Sequence, residues 1–460
     1  MPAGSWALAR YILVPPPPGG WRNIGRSAPV AEAEGRPVGG EPLAGDAAGE
    51  QPRTLWKNRN FSVLLSVQTL SVMGDSFSIL AMPLLVFHAT GSVVQMGLLT
   101  GSAGAASILS GIFAGVLADR VDRRALLIAC DVVRALVYGL VPLVWIFSPQ
   151  VWLLYVVVPI GAALGMVFQV TYVAVVPGLV ADGQIMKANS RLYGTHSMAS
   201  VAGPVLAGLL SAAYGPSTAI AADAASFAVS AVGLCFVRPR PRSATADAPT
   251  ARAGWKDVLV GARFLWGHPA LRALTILLSF LTFLTLGLTD LIIFHLKHDL
   301  GQPDSAAGYV LASAAVGSVV AAAFAGLARR SLGFGACWIG SYALCGAAIS
   351  FIGLSANVAT VAVLATVFLF CRGIAGICSM SLRQEVSPDR LLGRVTAAFW
   401  TIHAALGPIG AALLTWGAAR YGVAVVCMTA GISCLTIALC ATLTPIRHPR
   451  PELLPAEVGK

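Results

Sequence analysis

The chain has 460 residues, of which 57% are hydrophobic and 11% are charged. A soluble domain carries roughly 25% charged residues, so a chain of this composition cannot cover itself with a water-soluble surface. The net charge of +11 does not indicate nucleic-acid binding, because the Lys and Arg residues lie in short segments between apolar runs. In a membrane protein such segments are loops, and their charges report topology.

The N-terminal segment, residues 1–54, is rich in Pro, Gly, Ala and charge. Its apolar stretch at residues 6–14 is too short to span a membrane, is interrupted by Arg10 and runs into four prolines. We expect a disordered cytoplasmic tail here rather than a signal peptide.

Twelve apolar runs of spanning length follow. A helix of about 20 apolar residues crosses a bilayer, and only a helix satisfies the backbone of such a segment in lipid. The sequence therefore predicts an all-α polytopic membrane protein. The predicted transmembrane helices are 61–87, 94–118, 125–147, 151–176, 193–213, 217–237, 271–295, 306–328, 334–354, 358–381, 396–418 and 422–444.

Loop charges predict the orientation. If both termini are cytoplasmic, the outside loops hold only Lys297 and Arg420, and two further arginines, Arg134 and Arg372, lie within spans. All other Lys and Arg residues then lie on the inside. The positive-inside rule therefore predicts an even number of spans and cytoplasmic termini.

The longest loop, 238–270, separates two groups of six spans, 55–237 and 271–445, and a cytoplasmic tail follows at 446–460. Inside this loop apolar side chains share one helical face opposite Lys, Asp and Arg. That pattern predicts an amphipathic helix on the inner membrane surface. The apolar members are Trp255, Val258, Leu259, Ala262, Leu265 and Trp266.

The two groups of six repeat each other. Residues 97–115 in the second span match residues 308–326 in the eighth, with glycines at both ends, at a constant offset of 211. The fifth and eleventh spans each carry a Gly-Pro pair, at 203–204 and 407–408. Parallel repeats build transporters in which two bundles rock about a central site. We therefore predict two pseudo-symmetric bundles, with chance similarity of Gly- and Ala-rich helices as the alternative.

The loop between the second and third spans carries the most specific motif. Its sequence, Gly115-Val-Leu-Ala-Asp119-Arg120-Val-Asp-Arg123-Arg124, resembles the Gly-x-Leu-Ala-Asp-Arg-x-x-Arg-Arg loop of the major facilitator superfamily. Its charges can pair across a bundle interface or with lipid phosphates. The resemblance implies a cytoplasmic latch that locks the outward-open state, and the alternative is a positive-inside loop without a gating role.

Two further segments bear on this resemblance. The second-half copy of the latch, at 326–330, lacks the aspartate, and we expect it to serve topology. The segment around Gly203, Pro204 and Gly208 resembles the Gly-Pro motif in the fifth helix of drug antiporters, although two of the family's glycines are alanines here. Small residues and a bending proline explain close packing. The resemblance implies an exporter, and packing alone is the alternative. We predict the same packing role for Gly407 and Pro408.

Shorter matches resemble one branch of the superfamily, the multidrug and macrolide exporters that also include the enterobactin exporter. The resemblance covers about residues 55–445 and implies fold and branch more than substrate. The matching segments are Asn60-Phe61, Gly74-Asp75, Thr90-Gly91-Ser92, Arg134-Ala-Leu, Val176-Pro177 and Ala188-Asn189.

Ionisable residues at span depth are functional candidates, because an unpaired charge there costs about 2.5–3.5 kcal/mol. In the superfamily, helices one, four, seven and ten line the central cavity, which places Asp75, Gln169, Asp290 and Arg372 there. Our hypothesis is that Asp75 couples transport to protons, and a structural hydrogen-bonding role is its alternative. Arg372 either pairs with a carboxylate across the cavity, binds an anionic substrate or belongs to a structural pair. Asp290 lies close to the outer end.

For the other polar residues in the spans we expect mainly structural roles. Asp131 and Arg134 are three residues apart, and we expect them to satisfy each other or the latch. Asp223 lies on a scaffold helix and is expected to be structural. His196 and His403 could relay protons, although a lone membrane histidine is more often a hydrogen-bonded packing residue.

No cofactor or metal is predicted, and no Walker loop is present. The sequence favours a proton-coupled exporter of a small hydrophobic compound in the bacterial plasma membrane. Its expected partners are substrate, protons and membrane lipid, with no nucleic acid, and we expect a monomer. The alternatives are an importer or facilitator of the same fold, a polytopic membrane enzyme, and a sensor or scaffold.

Overall fold

A computed structural model describes residues 58–180, 184–237 and 255–453. Over these residues the chain is all-helical and no strand occurs. The predicted tail at 1–54 and most of the predicted charged loop lie outside the described residues. The first half of the chain forms α1 (Arg59–Thr90), α2 (Val93–Arg120), α3 (Arg123–Trp145), α4 (Val151–Val175), α5 (Ile185–Tyr214) and α6 (Pro216–Leu234).

The second half follows the helix of the central loop, α7 (Trp255–Gly267). Two of its spans are each built from two consecutive helices. The helices are α8 (Pro269–Thr285), α9 (Leu288–Phe294), α10 (Asp304–Ile352), α11 (Val358–Val386), α12 (Asp389–Ala404), α13 (Gly407–Tyr421) and α14 (Val423–Ala441).

The described chain contains eleven continuous helical segments that are long and apolar enough to cross a membrane. One of them, α10, has 49 residues, which at about 1.5 Å per residue is more than twice the thickness of a bilayer core. Gly333 interrupts it with φ 78° and ψ 172°, a conformation open to glycine but not to a helical residue. The segment is therefore two spans, and the prediction of twelve transmembrane helices is confirmed.

The two Gly-Pro pairs have different effects on their helices. Pro204 lies inside α5, which continues through it as one helix of 30 residues. Pro408 lies in the first turn of α13, after a break that ends α12 at Ala404. The first turn tolerates proline because its N–H groups have no helical acceptor. The predicted eleventh span is thus divided at Gly407.

The predicted amphipathic helix forms as α7, although its apolar face is not uniform. A Cβ atom on Gly261 would collide with the backbone of Arg394, so α7 packs tightly on α12. Leu265 is fully buried, whereas Leu259 and Trp266 remain about half exposed. The helix therefore uses part of its apolar face to bind the second half, and its contact with the membrane surface stays a prediction.

Candidate functional site

A cavity of about 600 Å³ lies among the first five helices. Its wall is mostly apolar, with polar side chains from each helix: Asp75 of α1, Thr100 of α2, Arg134 of α3, Gln169 of α4 and His196 of α5. This volume and composition match the usual small-molecule pocket, in which a few polar groups orient a mainly apolar ligand. Two of the four predicted cavity residues, Asp75 and Gln169, therefore line the same space.

An ion pair links two of the helices that line the cavity. Arg134 Nη2 donates to Asp75 Oδ1, which links α3 to α1. The Asp75 side chain is 37% exposed and the Arg134 side chain 7%, so the carboxylate faces the cavity and the guanidinium lies behind it. The guanidinium also stacks on the Phe227 ring, 3.7 Å from its centre. The predicted mutual pairing of Asp131 and Arg134 is wrong, because Arg134 reaches Asp75.

Two more carboxylates lie around the same guanidinium. Asp75, Asp131 and Asp223 are all within electrostatic range of Arg134. Asp223 is fully buried and accepts hydrogen bonds from Ser78 and from Ser226. Asp131 is fully buried as well, and its oxygens accept no hydrogen bond from the described residues. One arginine therefore faces three carboxylates, which is an imbalance of charge at membrane depth.

The other two predicted cavity residues belong to the second half. Asp290 in α9 is 2% exposed and faces the hydroxyl of Thr100, across the boundary between the halves. Arg372 in α11 is exposed, and no described carboxylate lies within ion-pair distance of it. The predicted pair between Arg372 and a carboxylate across the cavity is therefore not formed in this conformation.

The two halves meet closely at one end of the bundle, the end that contains Thr90, Val93 and Asp304, called here the closed end. A Cβ atom on Gly208 of α5 would lie 2.8 Å from Gly308 Cα, and one on Gly101 of α2 would lie 2.9 Å from the carbonyl oxygen of Pro408. Each Gly-Pro segment thus packs against a glycine of the opposite half. Small residues permit such backbone contact between membrane helices.

Side chains reinforce the closed end. Phe87 of α1 and Phe294 of α9 pack edge to face with ring centres 5.6 Å apart. Asp304 at the start of α10 accepts from Lys297 at 2.6 Å and lies 3.3 Å from His88 Nε2 at the end of α1. The pair between His88 and Asp304 crosses from one half to the other, so a charged contact and an aromatic contact bridge the halves together.

The opposite end is open between the halves. A Cβ atom on Gly115 at the end of α2, or on Gly326 in the matching part of α10, would meet nothing within 4 Å. The glycines at the other ends of the same two segments, Gly97 and Gly308, lie at the closed end and are both tightly packed. The two repeated segments are therefore packed against the opposite half at the closed end and loosely surrounded at the end that carries the predicted latch.

The latch arginines contact their own half in this conformation. Arg124 Nε donates to Leu234 O at 3.1 Å and its Nη2 donates to Cys235 O, at the carboxyl end of α6. Arg123 Nε donates to Ala118 O at 3.4 Å, and Arg120 is exposed. The side chain of Asp119 lies outside the described residues. A gating role for the latch stays a prediction.

The second-half copy of the latch makes a pair that the sequence analysis missed. Arg329 binds Glu385 of α11 through both ends of its guanidinium, at 2.9 and 2.5 Å, and lies 3.7 Å from Glu452 in the C-terminal segment. The His and Asp residues at 295–299 bind each other, and no cluster in the described chain could hold a metal ion.

A sequence profile of the Major Facilitator Superfamily matches residues 64–411, which include the cavity, the ion pair and the closed end. The chain belongs to the major facilitator superfamily. Its fold and family are those of transporters that act on small molecules.

Relatives within the superfamily include named exporters. Multidrug efflux pump Tap of Mycolicibacterium fortuitum is 24% identical over 344 residues, covering 73% of this chain and 84% of that protein. Enterobactin exporter EntS of Escherichia coli O1:K1 is 25% identical over 358 residues, covering 76% and 82%. The uncharacterized MFS-type transporter YfiS of Bacillus subtilis is 29% identical over 286 residues, covering 60% of this chain and 66% of that protein, just under two thirds.

Solved structures of other transporters share the fold. A bacterial homologue of the human lysosomal transporter Spinster, in an inward-facing and unoccupied conformation, has a TM-score of 0.69 at 14% identity, covering 86% of this chain and 98% of that one. The nucleoside transporter NupG has a TM-score of 0.67 at 13% identity, covering 84% and 98%. At these identities the likeness concerns the fold alone.

The number of charged residues in the first six spans is a sequence feature that indicates the ion-pair network. The first six spans hold three aspartates and one arginine at membrane depth, Asp75, Asp131, Asp223 and Arg134. Because each would be costly unpaired, all four could have been expected to meet. Spacing along a single helix does not show this arrangement, because the four residues lie on α1, α3 and α6, which are far apart in the sequence.

Proposed function

We propose that this major facilitator exports a small hydrophobic compound by alternating access, driven by proton influx. The observation that carries the proposal is the cavity-facing Asp75 carboxylate, held by Arg134 in a cavity open at one end only. The open end carries the latch arginines, so the positive-inside rule makes it cytoplasmic. The structure then represents the inward-facing state, in which substrate enters from the cytoplasm of a bacterial cell.

Charge balance supports coupling to protons. Three carboxylates around one guanidinium would leave two negative charges in a site of low dielectric constant. A buried charge without a partner is neutralised by a proton rather than kept ionised. Asp75 is the member of the set most open to the cavity. Without the negative charge of Asp75, Arg134 would face Asp131 and Asp223 alone, and the contact between α1 and α3 would change.

Export is supported by the relatives that carry exporter names and by the Gly-Pro segment of α5, which packs against α10 at the closed end. The nucleoside transporter NupG shares the fold, so a facilitator or importer of a metabolite is the second candidate. We propose that the protein works as a monomer in membrane lipid, because the cavity and its ion pair are built from the helices of a single chain.

The test uses everted membrane vesicles from cells that overproduce the protein. Acidification of the vesicle interior should drive accumulation of at least one of two hydrophobic dyes of opposite charge, fluorescein and rhodamine 123, and collapse of the proton gradient should stop it. Asp75→Asn should reduce proton-driven accumulation at least tenfold. The matched control is Asp299→Asn, since the Asp299 side chain is 36% exposed but lies outside the cavity. Undiminished proton-driven transport by Asp75→Asn would remove this residue from the coupling mechanism.

A further inference from the structure

The repeat relates an arginine of the second half to a position that lines the cavity in the first half. The offset of 211 residues that relates the second and eighth spans also separates Gly165 from Gly376 and Pro177 from Pro388. Helix α11 therefore takes the place in the second half that α4 takes in the first. On this alignment Arg372 corresponds to Gly161, which lines the cavity.

The exposed side of α11 agrees with this placement. Arg372, Gly376, Met380 and Gln384 are all exposed and follow one another at helical spacing of four residues. A Cβ atom on Gly376 would meet nothing within 4 Å. Arg372 lies at the middle of a 29-residue span, where a guanidinium facing lipid costs about 2.5–3.5 kcal/mol. This stripe therefore faces the space between the halves.

Among the described residues of the second half, no carboxylate lies within ion-pair distance of this guanidinium. Helix α3 begins at Arg123, and the second part of α10 begins at Phe334, again 211 residues later. Asp131 and Arg134 of the first half thus correspond to Tyr342 and Cys345, which lie near Arg372 and are neutral. The two halves therefore share a backbone plan but not a charge pattern.

Further positive charge lies along the same helix. Arg383, three turns after Arg372, is 3% exposed, and its Nε and Nη1 donate no hydrogen bond to the described residues. Its guanidinium lies over the Phe399 ring at 3.7 Å, a cation–π contact that does not neutralise it. His403 on α12 is within electrostatic range of both arginines. The two arginines therefore give α11 a positive field, and no described carboxylate lies within ion-pair distance of either.

We propose that Arg372 binds an anionic group on the transported molecule, so that the substrates are amphipathic anions: a carboxylate, sulfonate or phenolate attached to an apolar body. The apolar body would lie against the first-half wall, where Met82 and Phe168 line the cavity. The guanidinium supplies the donors that a planar anion accepts. This inference rests on the proposed function and narrows it from hydrophobic compounds to negatively charged ones.

Binding to the purified protein tests the charge preference without requiring transport. Fluorescein, an anion, and rhodamine 123, a cation, share a xanthene body, and fluorescence anisotropy reports the binding of either dye. We expect fluorescein to bind at least tenfold more tightly than rhodamine 123. Arg372→Gln should weaken the binding of fluorescein at least tenfold and leave the binding of rhodamine 123 unchanged. Arg372→Lys should bind fluorescein with intermediate affinity. The exposed control Arg330→Gln should change the binding of neither dye. Equal binding of the two dyes, or equal losses in Arg372→Gln, would overturn the proposal.

Thermal unfolding without ligand tests whether Arg372 has a carboxylate partner within the protein. Because Arg372 has no internal partner, Arg372→Gln should melt at the wild-type temperature or above, whereas Arg134→Gln should melt lower. A loss in Arg372→Gln as large as that in Arg134→Gln would reveal an internal partner, such as Asp75 across the cavity, and overturn the proposal. Failure of the proposed function is distinct: neither dye would then accumulate in everted vesicles under a proton gradient, whatever the binding preference.

Discussion

Gly208 of α5 and Gly308 of α10 meet backbone to backbone where the two halves of the transporter close. A Cβ atom on Gly208 would lie 2.8 Å from Gly308 Cα, closer than real Cβ contacts permit. The seal at this end therefore depends on the absence of two side chains. Such a contact forms only when the halves are fully closed, so it provides a steric means of controlling the conformational equilibrium.

Substitution of Gly308 by valine should open the closed end. The added side chain would collide with the backbone of α5 near Pro204, and the conformation seen here would lose population. We expect at least a tenfold loss of transport and a longer distance between spin labels on the two halves at this end. Gly340→Val is the control, because a Cβ there meets nothing within 4 Å. An unchanged distance distribution in Gly308→Val would contradict this account of the seal.

The charged contact at the closed end should also bias the equilibrium. Asp304→Asn removes the partner of Lys297, whose side chain is only 16% exposed, and breaks the link to His88 in the other half. We expect faster reaction of Thr100→Cys with an impermeant thiol reagent added from this side, since Thr100 lines the cavity. In the control Asp299→Asn the lost pairs lie within the second half, and reactivity should not change. Equal reactivity in the two variants would show that Asp304 does not hold the seal.

Loss of Arg134 should destabilise the first half more than loss of Asp75. Arg134→Gln leaves three carboxylates around a neutral side chain, and breaking a buried pair in this way costs about 3–5 kcal/mol. Asp75→Asn leaves Arg134 near Asp131 and Asp223, so its cost should be smaller. The melting temperature of the purified protein measures both, and adding Asp75→Asn to Arg134→Gln should recover part of the loss. A larger loss in Asp75→Asn would mean that Arg134 depends on Asp75 alone.

The C-terminal segment should stabilise the turn between the two spans of α10. The N–H groups of Phe334 and Gly335 donate to carbonyl oxygens of Pro449 and His448, and Ile446 beside them is fully buried. Ile446→Ala should cost about 2–5 kcal/mol and lower the melting temperature. Leu453→Ala, at a side chain 73% exposed, should change it little. Comparable effects in the two variants would indicate that the segment does not pack as the structure shows.

Hydropathy and loop charge in the sequence were enough to predict twelve helices, the matched glycines indicated two repeats, and the resemblance of the 115–124 loop implied the family. These properties are local, because every span must bury an apolar surface in lipid and satisfy its backbone by itself. The matched glycines of α2 and α10 were visible in the same way, since a repeat can be read along the chain. The break before Gly407 was not predicted. The fifth and eleventh spans both carry a Gly-Pro pair, yet α5 continues through Pro204 whereas a new helix begins at Gly407.

Only the tertiary structure decided which charges meet. Asp131 lies three residues from Arg134, yet the guanidinium binds Asp75, 59 residues away on another helix. The structure likewise decided that the repeated glycines are packed at one end and free at the other, which depends on the conformation of the two halves. Hydropathy is a property of each segment in its solvent. Electrostatic pairing at membrane depth is a property of distances between helices, and those are fixed only when the bundle packs.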